Sequence, residues 1–160
     1  MAKSLRDELK KKRAFDSVEQ EAMLSILRTS DLLENRLARL LREHDLTPSQ
    51  YNVLRILRGE GAPMPCLEVA ARMIQVAPAI TRVVDQLLAR ELIQKTQSNE
   101  DRRVFLVQLT ASGNALLRKL DKPILQLHTT LLGNVAPANL KQLIKSLTLI
   151  RQQVHDHSAE

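Results

Sequence analysis

Aromatic residues are nearly absent from this 160-residue sequence: they make up 2% of it, and tryptophan does not occur. Leu, Ile, Val and Ala must therefore form the core. Four glycines and six prolines are too few for the repeated tight turns of an all-β sandwich, so a mainly helical fold is favoured. The single cysteine, Cys66, excludes an intrachain disulfide framework and a cysteine metal cluster, and it fits a reducing compartment.

Long hydrophobic runs are also missing. The first residues, MAKSLRDELKKKRAF, contain no apolar signal-peptide core. No later segment approaches the roughly 18 to 20 uncharged apolar residues that a membrane span needs. We therefore expect a cytoplasmic protein with no membrane partner. The 24 Lys and Arg outnumber the 18 Asp and Glu, which gives a net charge of +6 and favours anionic partners.

Residue patterns that would support catalysis are scarce. The four histidines have no Ser, Cys or acidic partner at a catalytic spacing, and the sequence contains no glycine-rich phosphate loop. We therefore expect no enzymatic activity, no bound metal and no cofactor. Cys66 is a candidate oxidation sensor, and the alternative is a small buried hydrophobic residue.

Amphipathic helices are predicted on both sides of a compact centre. Apolar residues recur at helical spacing in both flanks, and these stripes are broader than one small core can cover. A second copy of the chain would cover them. Pro123 is expected to kink or split the helix that contains it. The predicted regions are a frayed basic leader (1–16), an N-terminal dimerisation helix (17–45), the centre (46–110), C-terminal dimerisation helices (111–156) and a tail (157–160).

The centre contains two short predicted helices, at 66–73 and 78–90. Four residues separate them, which is the spacing of a helix-turn-helix. Another helix precedes them, beginning at Pro48 and expected to end at Gly59. The apolar lining between the two short helices is predicted to be Leu67, Ile74, Ile80, Val83, Val84 and Leu87.

A β-hairpin is predicted directly after the second short helix. Its strands, 93–97 and 104–109, are rich in β-forming residues, and Arg102 and Arg103 lie at its tip. This order is that of a winged helix, in which the second helix enters the DNA major groove and the hairpin reaches the minor groove or phosphates. The predicted fold class is mainly α with a small β-hairpin wing (α+β).

Three stretches resemble the MarR family of bacterial winged helix-turn-helix transcription regulators: LTPSQYNVLRIL, APAITRVVDQLLARELI and EDRRVFLVQLTASG. The resemblance extends from Leu46 to Gly113. It implies a bacterial or archaeal homodimer that acts as a repressor on a pseudo-palindromic operator in double-stranded DNA. It also implies modulation by a small-molecule effector, whose identity and binding residues the sequence does not specify.

The resemblance and the helical projection together assign the residues that contact DNA. They are Pro78, Ala79, Thr81, Arg82 and Gln86 on the second helix, and Lys95, Arg102 and Arg103 on the hairpin. Arg82 faces away from the predicted core and is expected to contact guanine or a phosphate. The alternative for Arg82 is a solvated side chain paired with Asp85 or Gln86. The resemblance implies that Asp101 pairs with an arginine and stabilises the wing, while an arginine enters the minor groove.

One position departs from the family pattern. Glu91 occurs where the family usually has glycine, between the second helix and the wing. If Glu91 adopts a positive φ, a strain of about 1 kcal/mol or more is expected. If it does not, the wing is oriented differently.

A second class of function is open at the level of sequence. A helical module could bind an anionic membrane or protein surface through the basic leader. That function would explain the charge but not the wing. Deleting residues 1–13 distinguishes the two classes, because DNA affinity should largely survive if Arg82 and the wing carry the binding.

Overall fold

The computed structural model describes residues 3–75 and 79–157. The helices and strands, in chain order, are α1 (Leu5–Glu8), α2 (Val18–Arg42), α3 (Pro48–Glu60), β1 (Met64–Pro65), α4 (Cys66–Ala71), α5 (Ile80–Ala89), β2 (Ile93–Gln97), β3 (Phe105–Leu109), α6 (Ala111–Leu132) and α7 (Pro137–His157). The chain divides into two compact units, residues 1–123 and 124–160. All the strands and the first five helices belong to the first unit.

The strands form one antiparallel sheet in the order β1-β3-β2. The pairing of β2 with β3, from Ile93 opposite Leu109 onward, is the predicted hairpin. The sequence does not predict β1, in which Met64 pairs with Val107 on the other side of β3. A two-residue strand that contains a proline is too short to produce an alternating pattern.

Helix α3 is fixed at both ends by its own sequence. The Thr47 hydroxyl accepts a hydrogen bond from the Gln50 N–H (3.2 Å), and the Gln50 side chain accepts one from the Thr47 N–H (3.0 Å). Pro48 occupies the first turn. The helix ends at Gly61, whose φ of 70° is left-handed. The prediction that it ends at Gly59 is wrong, because Gly59 lies inside the helix.

The core of the first unit consists of aliphatic side chains gathered around α3. This helix contacts α2, α4, α5 and β3. The side chains that are fully or almost fully buried include Leu41, Val53, Leu54, Leu57, Val69, Leu87, Val107, Leu117 and Leu120. Burying each of them stabilises the fold by roughly 1.5–3 kcal/mol.

The lining predicted for the two short helices is partly wrong. Val84 and Leu87 are buried, but Leu67 and Ile74 are 83% and 82% exposed. Helix α4 has only six residues, so it has room for one inward face. Val69 occupies that face with no exposed surface.

Two segments are more regular than the sequence predicts. The leader is not frayed throughout, because α1 is capped by Ser4 and Arg6 donates hydrogen bonds to the carbonyls of Lys11 and Lys12. Helix α6 continues through Pro123, so of the two effects predicted for this proline, a kink or a split, the split does not occur. A proline removes one backbone hydrogen bond, and here that loss does not end the helix.

The long helices carry apolar side chains at their surfaces. On α2 only Leu41 is buried, while Val18, Met23 and Leu27 are 80%, 60% and 59% exposed. On α7 no residue is buried. The exposed apolar side chains of α7 are Leu143, Ile144, Leu149, Ile150 and Val154. These faces are larger than the scattered apolar residues of an ordinary monomer surface.

Glu91 adopts the left-handed conformation, with a φ of 54°. It follows the end of α5, where the Glu91 N–H donates to the Leu88 carbonyl (2.9 Å) and the Leu92 N–H donates to the Leu87 carbonyl (3.1 Å). This pair of hydrogen bonds is a Schellman motif, whose left-handed position is usually glycine. Of the two alternatives for Glu91, the one with a positive φ is therefore the one observed, and the backbone of this residue is strained.

Replacing Glu91 with glycine should stabilise the protein. We expect Glu91→Gly to raise the free energy of unfolding by about 1 kcal/mol, because glycine adopts a positive φ without steric cost. Chemical denaturation of both proteins measures the difference. The matched control is Glu34→Gly in the exposed middle of α2, which should lower the free energy of unfolding by about 1 kcal/mol. A loss of stability in both variants would contradict the assignment of strain to Glu91.

Candidate nucleic-acid interface

Helix α5 has one buried face and one exposed face. Val84 and Leu87 are buried against the core. A shallow hollow of about 640 Å³ on the outer face is lined by Ala79, Thr81, Arg82, Asp85, Gln86 and Ala89. Four of the five residues assigned to DNA contact on this helix thus share one surface. The fifth, Pro78, lies outside the described residues.

Arg82 is exposed on this outer face. Among residues 3–75 and 79–157, no carboxylate lies within ion-pairing distance of its guanidinium, so it is not paired with Asp85. Its charge is therefore not neutralised by the protein. An exposed arginine with free donors can bind guanine O6 and N7, or a phosphate.

Two amide side chains of α3 form hydrogen bonds to α5 and to Ile74, which precedes it in the chain. The Asn52 carbonyl oxygen accepts a hydrogen bond from the Ile74 N–H at 2.8 Å. The Gln50 amide nitrogen donates to the Gln86 side-chain oxygen at 3.1 Å. The sequence alone does not identify Gln50 or Asn52 as part of the site. Only the Thr47 capping box marks Gln50 in the sequence, and it indicates a helix start, not a contact with α5.

The tip of the wing is closed by hydrogen bonds from its own side chains. The Ser98 hydroxyl accepts from the N–H groups of Glu100 (3.2 Å) and Asp101 (3.4 Å). The Asp101 carboxylate accepts from the Arg103 N–H at 2.9 Å. The Gln97 amide donates to the Arg102 carbonyl at 2.6 Å. These bonds hold the backbone of the tip, and the side chains of Arg102 and Arg103 take no part in them.

The cationic side chains of the wing project into solvent. The Arg103 guanidinium is 95% exposed, and its Nε lies 3.6 Å from an Asp101 oxygen. At this distance and exposure the ion pair contributes little energy. Lys95 lies over the ring of Phe105, with its ammonium 4.1 Å from the ring centre, which is a cation–π contact. Phe105 is 46% exposed, so the ring supports Lys95 at the surface.

Cys66 is the first residue of α4, which contacts both α5 and strand β3 of the wing. Its thiol is half-buried, and burial is the main cause that raises its pKa. Lys95 lowers the pKa of this thiol and Asp85 raises it, so both charged groups lie near Cys66. The wing and α5 are neighbours, because strand β2 packs against α5. A thiol whose pKa is raised is a weak nucleophile at neutral pH.

The wing and α5 are joined to α6 at Thr110 and Gly113. The Thr110 hydroxyl donates to the Glu91 carbonyl (2.8 Å) and accepts from the Gly113 N–H (3.0 Å). The Thr110 N–H donates to the Leu92 carbonyl (3.2 Å). A Cβ at Gly113 would lie 2.1 Å from that same Leu92 oxygen. The Leu-Thr-x-x-Gly pattern thus packs the first turn of α6 directly on the end of α5.

A second link joins α3 to α6. The Arg58 guanidinium donates two hydrogen bonds to the Asp121 carboxylate, at 3.0 and 2.7 Å. These bonds raise the pKa of Arg58 and lower the pKa of Asp121. Because the Asp121 pKa is lowered, this link stabilises the fold at neutral pH and is lost as the pH falls through that lowered pKa.

The helix-turn-helix, the hairpin and the exposed arginines define a winged helix-turn-helix DNA-binding protein. A family model described as "MarR family" matches residues 46–105. The chain is 32% identical over 120 residues to the multiple antibiotic resistance protein MarR of Salmonella typhimurium, covering 72% of this chain and 80% of that protein. It is 32% identical over 80 residues to the HTH-type transcriptional regulator MhqR of Bacillus subtilis, covering 50% of this chain and 54% of that protein. The match thus spans about half the length of MhqR.

Solved structures agree with these relatives. The crystal structure of a MarR transcription factor from Planctomyces limnophilus is 39% identical, with a TM-score of 0.65 over 85% of this chain and 99% of that chain. The structure of the S. aureus MepR–DNA complex is 19% identical, with a TM-score of 0.73 over 82% of this chain and 96% of that chain, and it shows the shared fold. The chain therefore belongs to the MarR family of DNA-binding transcription regulators, which are not enzymes.

Residues 3–75 and 79–157 offer neither a membrane-spanning helix nor a cluster of metal ligands. No helix in these ranges is long and apolar enough to cross a membrane. No group of three His, Cys, Asp or Glu side chains in the same ranges is placed to hold a metal ion.

Proposed function

We propose that the protein is a cytoplasmic, homodimeric repressor that binds a pseudo-palindromic operator in double-stranded DNA. In this proposal α5 is the recognition helix: Ala79, Thr81, Arg82 and Gln86 enter the major groove, and Pro78 belongs to the same set of DNA-contacting residues. Lys95, Arg102 and Arg103 bind phosphates or the minor groove, and Asp101 holds the wing. A small-molecule effector, as the family implies, changes the affinity for DNA. Cys66 is a candidate oxidation sensor in this proposal.

One observation carries the proposal of sequence-specific DNA binding. Two neighbouring elements, α5 and the wing, each present an arginine whose charge the protein leaves largely free. Arg82 has no carboxylate partner among the described residues, and Arg103 is 95% exposed. The first would read base edges in the major groove, and the second would reach the adjacent minor groove.

The exposed apolar faces support the homodimer. Leu143 and Ile144 of α7 are 49% and 62% exposed, and Val18 and Met23 of α2 are 80% and 60% exposed. A second copy of the chain would remove these side chains from water. Two copies would present two recognition helices, which fits an operator with two half-sites about 34 Å apart.

Loss of Arg82 should weaken operator binding. We expect Arg82→Ala to reduce affinity by about 10- to 100-fold, because one bidentate contact to guanine is worth roughly 1–3 kcal/mol. Fluorescence anisotropy with the operator duplex measures the change. Lys119→Ala, which removes one exposed positive charge from α6, is the matched control and should leave affinity within about twofold. Equal affinities of wild type and Arg82→Ala would exclude Arg82 from the interface.

Selection of bound fragments from genomic DNA tests the function as a whole. We expect a palindromic consensus, and an affinity that falls with salt at a log–log slope near −0.9 for each phosphate contact. Recovery of random fragments with no shared sequence would contradict a sequence-specific regulator. The selected sites would also identify the regulated genes.

A further inference from the structure

Gln50 is the one buried polar side chain among the described residues, at 7% exposure. It lies in α3, 36 positions before Gln86, and its amide connects the start of α3 to the recognition helix. A buried amide in this position must satisfy its donors and acceptors inside the protein. Its two hydrogen bonds therefore determine which way the amide points.

The chemistry of these bonds assigns each atom. The Thr47 backbone N–H can only donate, so the Gln50 atom that faces it at 3.0 Å must be the carbonyl oxygen. The other end of the Gln50 amide is then the NH₂ group, which can only donate. The Gln86 atom that faces it at 3.1 Å must be the carbonyl oxygen Oε1. The Nε2 group of Gln86 is thus the free end of its amide.

Gln86 lies one helical turn after Arg82, at the i+4 position of α5. Both residues line the hollow on the outer face of the helix. A side chain in this position can reach a base edge when α5 occupies the major groove. The unoccupied donor of Gln86 and the guanidinium of Arg82 would then face neighbouring base pairs.

We propose that Gln50 determines the base preference of Gln86, and that Gln86 reads guanine. Guanine presents two acceptors in the major groove, O6 and N7, which match an amide that offers only N–H donors. Adenine would need Gln86 to accept from its N6 amino group while donating to N7. The oxygen required for that contact is directed toward Gln50 by the 3.1 Å hydrogen bond, so the end of the amide left for a base edge is the donor. This inference rests on the proposed function and adds one specificity-determining pair to it.

Gln50→Glu tests the proposal by reversing the polarity of the amide. A glutamate keeps the capping box with Thr47, but its second oxygen accepts and cannot donate. The Gln86 amide must then turn its Nε2 toward Glu and its Oε1 outward. With this carboxylate ionised, we expect the preference at one position of each half-site to change from guanine to adenine or cytosine by about tenfold. Operator libraries randomised at each position, bound by wild type and variant, give this readout.

Two further variants complete the experiment. Gln86→Ala should abolish the preference at the same position and leave all other positions unchanged. Gln50→Met, which has no donor and no charge, should let the Gln86 amide rotate, so that adenine is accepted as well as guanine. If circular dichroism shows that Gln50→Glu does not fold, this variant tests the role of Gln50 in its place. Gln152→Glu, on exposed α7, controls for the added charge and should not alter any preference.

The outcomes separate this inference from the proposed function. If the wild type selects no sequence at all, the proposed function is wrong. If the wild type selects an operator but the folded Gln50 variants keep its preference at every position, the inference about Gln50 is overturned. The same holds if Gln86→Ala retains the wild-type preference throughout.

Discussion

Leu143→Glu should convert the protein into a monomer that no longer binds its operator. Leu143 is 49% exposed in the single chain, so the substitution does not disturb a monomer core. In the proposed dimer the added carboxylate would be buried without a partner in both copies, which is strongly unfavourable. Light scattering should give the mass of one chain, 18.1 kDa. Because the two half-sites would no longer be bound together, affinity should fall by about 100-fold or more.

Gln152→Glu provides the control for Leu143→Glu. Gln152 lies on the same helix but on the face opposite Leu143, and it is exposed. It should retain the wild-type mass and operator affinity. A wild-type protein that is already monomeric at micromolar concentration would contradict the dimer, and the apolar faces of α2 and α7 would then need another partner.

Gly113→Ala should strongly destabilise the protein. The new Cβ would lie 2.1 Å from the Leu92 carbonyl oxygen and 2.8 Å from a methyl group of Leu109. A backbone atom cannot move away as a flexible side chain can, so the first turn of α6 must shift. We expect a loss of about 3 kcal/mol or more in the free energy of unfolding, measured by chemical denaturation.

Gly59→Ala is the matched control, because it makes the same chemical change within a helix. Apart from its chain neighbours and the backbone of its own helix, no described atom lies within 4 Å of a Cβ built at Gly59, and this glycine is inside α3. The substitution should raise the free energy of unfolding by about 0.5–1 kcal/mol, since alanine restricts the unfolded chain more than glycine. If both variants lost stability equally, the close contact at Gly113 would not explain the loss of stability in Gly113→Ala.

The elements that the sequence predicted well are those with local signals. Thr47 and Pro48 mark the start of α3, and the alternating β-formers of 93–97 and 104–109 mark the hairpin. The end of α3 was misplaced because Gly59 and Gly61 are equally good terminators in sequence. Only the three-dimensional path of the chain selects the one that adopts a positive φ.

The candidate site was predicted in part, and for a related reason. Helical projection placed Arg82 on the outer face of α5, where it lies, because that face depends only on the spacing of neighbouring residues. The contacts of Gln50 with Gln86 and of Asn52 with Ile74 span 36 and 22 positions. A single sequence contains no periodicity that joins positions so far apart, so these supporting residues were missed.

The contact between Gly113 and the Leu92 carbonyl leaves no clearance between α6 and the end of α5. The hydroxyl and the N–H of Thr110 donate hydrogen bonds to the carbonyls of Glu91 and Leu92. The close contact at Gly113 prevents the two segments from approaching, and these hydrogen bonds resist their separation. The first turn of α6 is therefore tied directly to Glu91 and Leu92, the residues between α5 and the wing. In the proposed dimer, a shift of the first turn of α6 would be passed to α5 through these contacts, and the spacing between half-sites would change with it.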